Sequence, residues 1–174
     1  MNTGQSILTI GAMLLLSVLI LRINSTLFYS GQVVSSSKLS LIAMSLAQSR
    51  LEEIKHKSFD ESTVGNTINN LNLLTAPTSL GTETGETYPN FDDIDDYNKK
   101  TFKDTVQVDP NLPRNRLSNV EIFQDSCTVV YVSINNLDLA VNTRTWNKKI
   151  TVRVTNKTMK DVITTSTIYS YWVF

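Results

Sequence analysis

The sequence predicts an α+β chain: a long N-terminal α-helix whose apolar half projects, packed through its second half on a C-terminal antiparallel β-sheet. Three observations predict it. The first 21 residues carry no ionisable side chain, and residues 7–21 (ILTIGAMLLLSVLIL) are almost wholly apolar. Residues 39–54 repeat apolar side chains at helical spacing. The last third alternates β-branched and polar residues, with Ile150, Val152 and Val154 against Thr151, Arg153 and Thr155. With 174 residues, 41% of them hydrophobic, the chain has material for one domain with a real core and one membrane-compatible element. Lys+Arg and Asp+Glu balance at 16 each, which gives no field for binding nucleic acid. A single cysteine, Cys127, excludes an intrachain disulfide and a multi-cysteine metal site; in a strand it reads as a small buried hydrophobe.

The helix comes first in the chain. About 20 helical residues, each rising about 1.5 Å, cross the hydrocarbon of a bilayer, and the uncharged run is just long enough. A secretory signal peptide would need a basic start and a small-residue cleavage site, whereas MNTGQS has no Lys or Arg and RINSTLFYSG offers no A-x-A pattern. A buried helix of a soluble core is the competing reading. Ile7, Leu8, Thr9, Ile10, Gly11, Met13, Leu14, Leu15, Leu16, Val18, Leu19, Ile20 and Leu21 form the candidate membrane or filament-core face. Within it the small residues Thr9, Gly11 and Ser17 would let neighbouring helices approach closely.

Beyond Arg22 the pattern becomes amphipathic. Leu39, Ile42, Ala43, Leu46, Ala47, Leu51 and Ile54 fall on one stripe, and Lys38, Ser45, Gln48, Glu52 and Lys55 fall mainly elsewhere. Glu53 and Lys57 stand four apart as a favourable pair, and Arg50, Lys55 and Lys57 gather where cations suit the helix dipole. Tyr29-Ser30-Gly31 and the run SSSK at 35–38 predict a local loosening. The resulting division is a long helix over 1–57, with a membrane or filament-core segment at 5–28, and a globular head over 29–174 that includes the amphipathic half of the helix.

The polar middle, 60–118, is rich in Asn, Thr, Ser and Gly and predicts a surface loop with one short helical or extended piece over 68–74. Asp92, Asp93, Asp95 and Asp96 then place four carboxylates in five residues. Such a cluster offers the oxygens that calcium takes. Its spacing is not that of a calcium-binding loop, so a solvated turn partnered by Lys99, Lys100 and Lys103 is the plainer expectation. Strands are predicted over 106–108, 120–123, 128–134, 150–155 and 162–171, with a polar turn at 156–160 joining the last two.

Catalytic signatures are thin. His56 lies between Lys55 and Lys57 with no nucleophile or ligand pattern beside it, and Gly81 and Gly85 lack the Lys-Ser/Thr pair of a phosphate loop. Tyr169, Tyr171, Trp172 and Phe174 read as core and interface. No catalytic, cofactor-binding or metal residue is assigned; the expectation is a protein that is not an enzyme and takes no cofactor.

Three stretches resemble the type IV pilin and pseudopilin superfamily: the apolar N-terminal helix running into AMSLAQSRLEEIK at 43–55 and SFDE at 58–61, the motif FDDIDDYN at 91–98, and the closing strands KITVRVT at 149–155 and IYSYW at 168–172. The resemblance implies a structural subunit of an extracellular type IV pilus-like filament, held in the inner membrane before assembly. Its partners would be copies of itself, membrane lipid and an ATP-driven inner-membrane assembly machinery. It also marks Gly4 and Gln5 as the leader-processing position. Thr9 stands where the family carries a glutamate, so the link between that glutamate and a neighbour's terminal amine has no counterpart here. Cleavage after Gly4 and assembly without processing both stay open, the missing glutamate favouring a divergent branch that assembles unprocessed. A minor pseudopilin of a type II secretion-like system and a monomeric membrane-anchored binding module are the alternatives.

Overall fold

A computed structural model of the chain describes residues 3–108, 111 and 119–172. The order of elements is α1 (Thr3–Lys55), then β1 (Thr101–Gln107), β2 (Val120–Ser133), β3 (Asn136–Ala140), β4 (Asn147–Asn156) and β5 (Ile163–Ser170). Three single-turn 3-10 helices, Glu61–Thr63, Leu71–Leu73 and Asp95–Tyr97, punctuate the connection between α1 and β1. The fold is α+β, one 53-residue N-terminal helix and a five-strand antiparallel sheet. The chain divides into two compact units, Met1–Leu39 and Ser40–Phe174.

The first unit is the leading part of α1. The expected loosening at 29–31 and 35–38 does not interrupt it; Ser36 within that stretch donates to the Val33 carbonyl, and upstream Ser25 and Thr26 both donate to that of Arg22.

In the second unit the helix packs through the stripe read from the sequence. Ala43, Ala47, Leu51 and Ile54 are buried, and Ile42 and Leu46 flank them half-buried. The sheet runs β1-β2-β4-β5, with β3 hairpinned onto the far end of β2. Alternation sets its faces. Phe123, Asp125, Cys127, Val129 and Tyr131 of β2 and Lys148, Ile150, Val152 and Val154 of β4 point into the core, in register as Cys127 opposite Val152, Val129 opposite Ile150 and Tyr131 opposite Lys148. Gln124, Thr128 and Arg153 face outward.

Several expectations are corrected. β2 is one strand where two were predicted, since Gln124 to Cys127 keeps the in-out alternation despite its polarity. β1 starts five residues before the predicted Val106, its inward positions being Phe102, Asp104 and Val106. β3 was not predicted at all, and all five of its residues are exposed. The loop after the helix is no mere surface feature: Phe59, Ile68, Leu74, Phe91, Ile94 and Tyr97 are buried and make it a layer of the core.

Arg50 is not a dipole-facing cation. It is buried, with Nε 2.8 Å from Asp125 Oδ2 on β2, Nη1 2.6 Å from Glu53 Oε2, and its guanidinium over the Phe102 ring at 4.2 Å. Glu53 consequently pairs with Arg50 and accepts from the Tyr97 hydroxyl, and Lys57, beyond the helix end, donates instead to the Phe91 carbonyl. His56 is exposed. Cys127 is buried, as expected, and burial pushes its thiol up to about 12.

Candidate assembly surface

Every large apolar side chain from Ile7 to Leu21 is exposed by about half or more; Ile7, Leu8 and Leu15 are exposed by 72%, 74% and 75%. Thr3–Lys55 is long and apolar enough to cross a membrane, and none of its most apolar window is buried within the chain. Fully burying one Leu, Ile, Val or Met side chain is worth about 1.5–3 kcal/mol. Leaving a run of them in water is correspondingly unfavourable, which suggests a membrane or secretion association. Ile23, Leu27 and Phe28 extend the same bare surface past Arg22.

The polar atoms of this run are already satisfied along the helix. Thr9 Oγ1 donates to the Ser6 carbonyl at 2.9 Å and Ser17 Oγ to the Met13 carbonyl at 2.8 Å. Both hydroxyls can therefore enter an apolar environment without an unmade hydrogen bond, which a glutamate in place of Thr9 could not do. A Cβ added at Gly11 or Gly4 would meet nothing within 4 Å. Neither glycine is required by packing within this chain, and the notch at Gly11 is free for a neighbour. Gln5 is exposed beside Gly4 on the first turn of α1.

In the head, the C-terminal aromatics divide. Tyr169 and Tyr171 both pack on Phe59, with ring centroids 6.2 and 5.5 Å away, and Trp146 stacks on Tyr171 at 5.5 Å. Trp172 is 72% exposed, beside a groove of about 520 Å³ lined by Leu71, Ile134, Arg144, Trp146 and Tyr171 among others. Phe174 lies outside the described residues.

Sequence reasoning missed the head's buried cation. Lys148, fully buried on β4, places Nζ 2.6 Å from Asp95 Oδ1, 2.9 Å from Asp60 Oδ2 and 2.8 Å from the Phe59 carbonyl. Asp60 also accepts from Ser62 N, Thr75 N and the Tyr131 hydroxyl. Burial alone would raise the Asp60 carboxyl, but the Lys148 charge and hydrogen bond outweigh it and hold it below the usual carboxylate range. This network ties the turn after α1 to the acidic knot and to two central strands.

The acidic knot is thus no solvated turn. Asp93, Asp95 and Asp96 are fully buried and only Asp92 is exposed. Among the described residues no ion pair joins Lys99, Lys100 or Lys103 to it, Lys100 donating instead to the Thr82 hydroxyl. No family model, curated protein or solved structure matches the chain. A long apolar N-terminal helix packed on a C-terminal antiparallel sheet is nevertheless a pilin-like architecture.

Proposed function

We propose that the chain is the structural subunit of an extracellular type IV pilus-like filament. It would wait in the inner membrane by the apolar part of α1 and assemble by packing that part against copies of itself. The observation that carries this reading is the wholly unburied apolar run on a chain whose head has a complete core of its own. The role is structural rather than enzymatic, with copies of the chain, membrane lipid and an inner-membrane assembly machinery as partners and no nucleic acid. In lipid the apolar run is already out of water, so helix association there depends on close packing and an energy source must extract each subunit.

Electron microscopy of material sheared from cells tests this. Helical fibres with this chain as their main component are expected. Retention in the membrane at low copy number would instead favour a minor pseudopilin or an anchored module. Mass spectrometry of the mature terminus separates the two processing outcomes: a chain starting at Gln5 means cleavage after Gly4, and one retaining Met1 or Asn2 means assembly unprocessed.

Gly11→Leu probes the packing. The new side chain meets nothing in its own chain, and leucine favours helix over glycine by about 0.8–1 kcal/mol. Subunit level and head folding should be unchanged while fibres are lost. Normal fibres from this variant would refute close helix packing at Gly11.

A further inference from the structure

Among the described residues, two groups of buried carboxylates in the head have a cation between them, Asp125 with Arg50 and Asp60 and Asp95 with Lys148, and one group has none. That last group draws on three separated stretches of the connection between α1 and β1: Glu61 on the first 3-10 turn, Glu83 and Glu86 on the following loop, and Asp92, Asp93 and Asp96 on the knot.

Each buried aspartate of this group has one oxygen fixed and one bare. Asp93 Oδ1 accepts from the backbone amides of Asp95 at 2.7 Å and Asp96 at 3.1 Å, and Asp96 Oδ2 from those of Asp92 at 3.1 Å and Asp93 at 3.4 Å. These bonds fix both side chains. The opposite oxygens, Asp93 Oδ2 and Asp96 Oδ1, are buried with no hydrogen-bond partner, and so is Glu83 Oε2. Leaving a buried acceptor unsatisfied is costly, and more so when it is charged. Such oxygens on three residues of one carboxylate cluster call for a ligand that supplies positive charge.

The spacing within each triad fits an ion. Carboxylate oxygens of Glu61, Glu83 and Asp93 lie within 4.8 Å of one another, as do those of Glu83, Glu86 and Asp96, and those of Glu61, Glu86 and Asp92. Two oxygens on opposite sides of a calcium ion, each about 2.3–2.6 Å away, stand about 4.6–5.2 Å apart. Glu83 belongs to both triads that contain a buried aspartate. Burial runs from Asp93 and Asp96 outward through half-buried Glu83 and Glu86 to exposed Glu61 and Asp92, which leaves a polar entry path.

We propose that these carboxylates form a calcium site, with Asp93, Asp96 and Glu83 as the buried ligands and Glu86, Glu61 and Asp92 at its rim. An all-oxygen, carboxylate-rich set of flexible side chains suits calcium, which accepts six to eight ligands in loose geometry; magnesium demands a near-ideal octahedron and keeps its waters. The bound ion would fasten the connection to itself at three points, independently of whether the chain forms filaments.

Calorimetric titration of the chelator-treated full chain in detergent with calcium chloride tests the site, alongside thermal melting with and without the ion. Saturable one-to-one binding tighter than about 1 mM is expected, with a rise in melting temperature. Glu83→Gln and Asp96→Asn should each weaken binding at least about tenfold, while Asp161→Asn, at an exposed acid elsewhere, should leave it unchanged. Should Asp96→Asn fail to fold, the half-buried Glu83→Gln carries the test. The proposal is overturned by no saturable heat up to about 10 mM calcium, by equal affinity for magnesium, or by unaltered binding in Glu83→Gln.

Discussion

One helix carries two opposite surfaces along its length. Over 5–28, apolar side chains stand all around the axis and none of the large ones is buried; over 43–55, apolar residues keep to every third or fourth position and that stripe is buried. An isolated helix is marginal in water, and most helical stability in a folded protein comes from packing an apolar face. The second stretch gets that packing from its own sheet. The first gets none among the described residues, and its large side chains stay exposed. The difference teaches that the head does not draw its stability from this run: deleting its side chains should cost the head nothing, and deleting those of the second stretch should cost the head much.

The largest effect is expected where the head has buried charge. Lys148→Ala removes the one cation that contacts both Asp60 and Asp95 and leaves two buried carboxylates facing each other. Losing one partner of a buried pair costs about 3–5 kcal/mol. Urea unfolding followed by Trp146 fluorescence should show that loss, or no folded head at all. A cost under about 1 kcal/mol would mean that the two carboxylates, once freed of the Lys148 charge, simply take up protons. Next in size is Ile54→Ala, at a fully buried position near the end of α1. Large-to-small changes of this kind cost about 2–5 kcal/mol, and the same unfolding curve reads it. A smaller effect concerns reactivity. Cys127 is 1% exposed and its thiol is pushed up to about 12 by burial, so a thiol reagent at neutral pH should label it only as fast as the head opens, and Ile54→Ala should speed that labelling.

Much of this division was legible in the sequence, because both signals are one-dimensional. The missing charge before Arg22 and the stripe Ala43, Ala47, Leu51, Ile54 need only helical periodicity to be read. The charged interior needed more. Lys148 lies in phase with Ile150, Val152 and Val154, and Asp125 in phase with Phe123 and Cys127, so alternation placed each on the inner face. Their partners, Asp60 and Asp95 for the lysine and Arg50 for the aspartate, are 53 to 88 residues away, or 75 for Arg50, and no local pattern links them. The acidic knot misled for a related reason. Four aspartates in five residues read as solvated, but backbone amides and a distant lysine provide the polar partners that let three of them be buried. β3 escaped because an exposed strand carries no burial pattern, and its pairing is set by the hairpin from β2.

The smallest expected effect sharpens the comparison most. Leu14 and Ile54 are both aliphatic residues of α1, yet Leu14 is 64% exposed and Ile54 is fully buried. Substitutions at exposed positions away from structural features usually stay within about 0.5 kcal/mol. Leu14→Ala should therefore leave the urea midpoint of the head unmoved, while Ile54→Ala shifts it by several times that amount. The same Leu14→Ala chain should enter detergent or vesicles less firmly, since each buried CH₂ is worth about 0.8 kcal/mol and the variant has lost three carbons. A Leu14→Ala variant that weakens the head as much as Ile54→Ala would mean that the apolar run packs on its own domain, and the case for an external partner would fall with it.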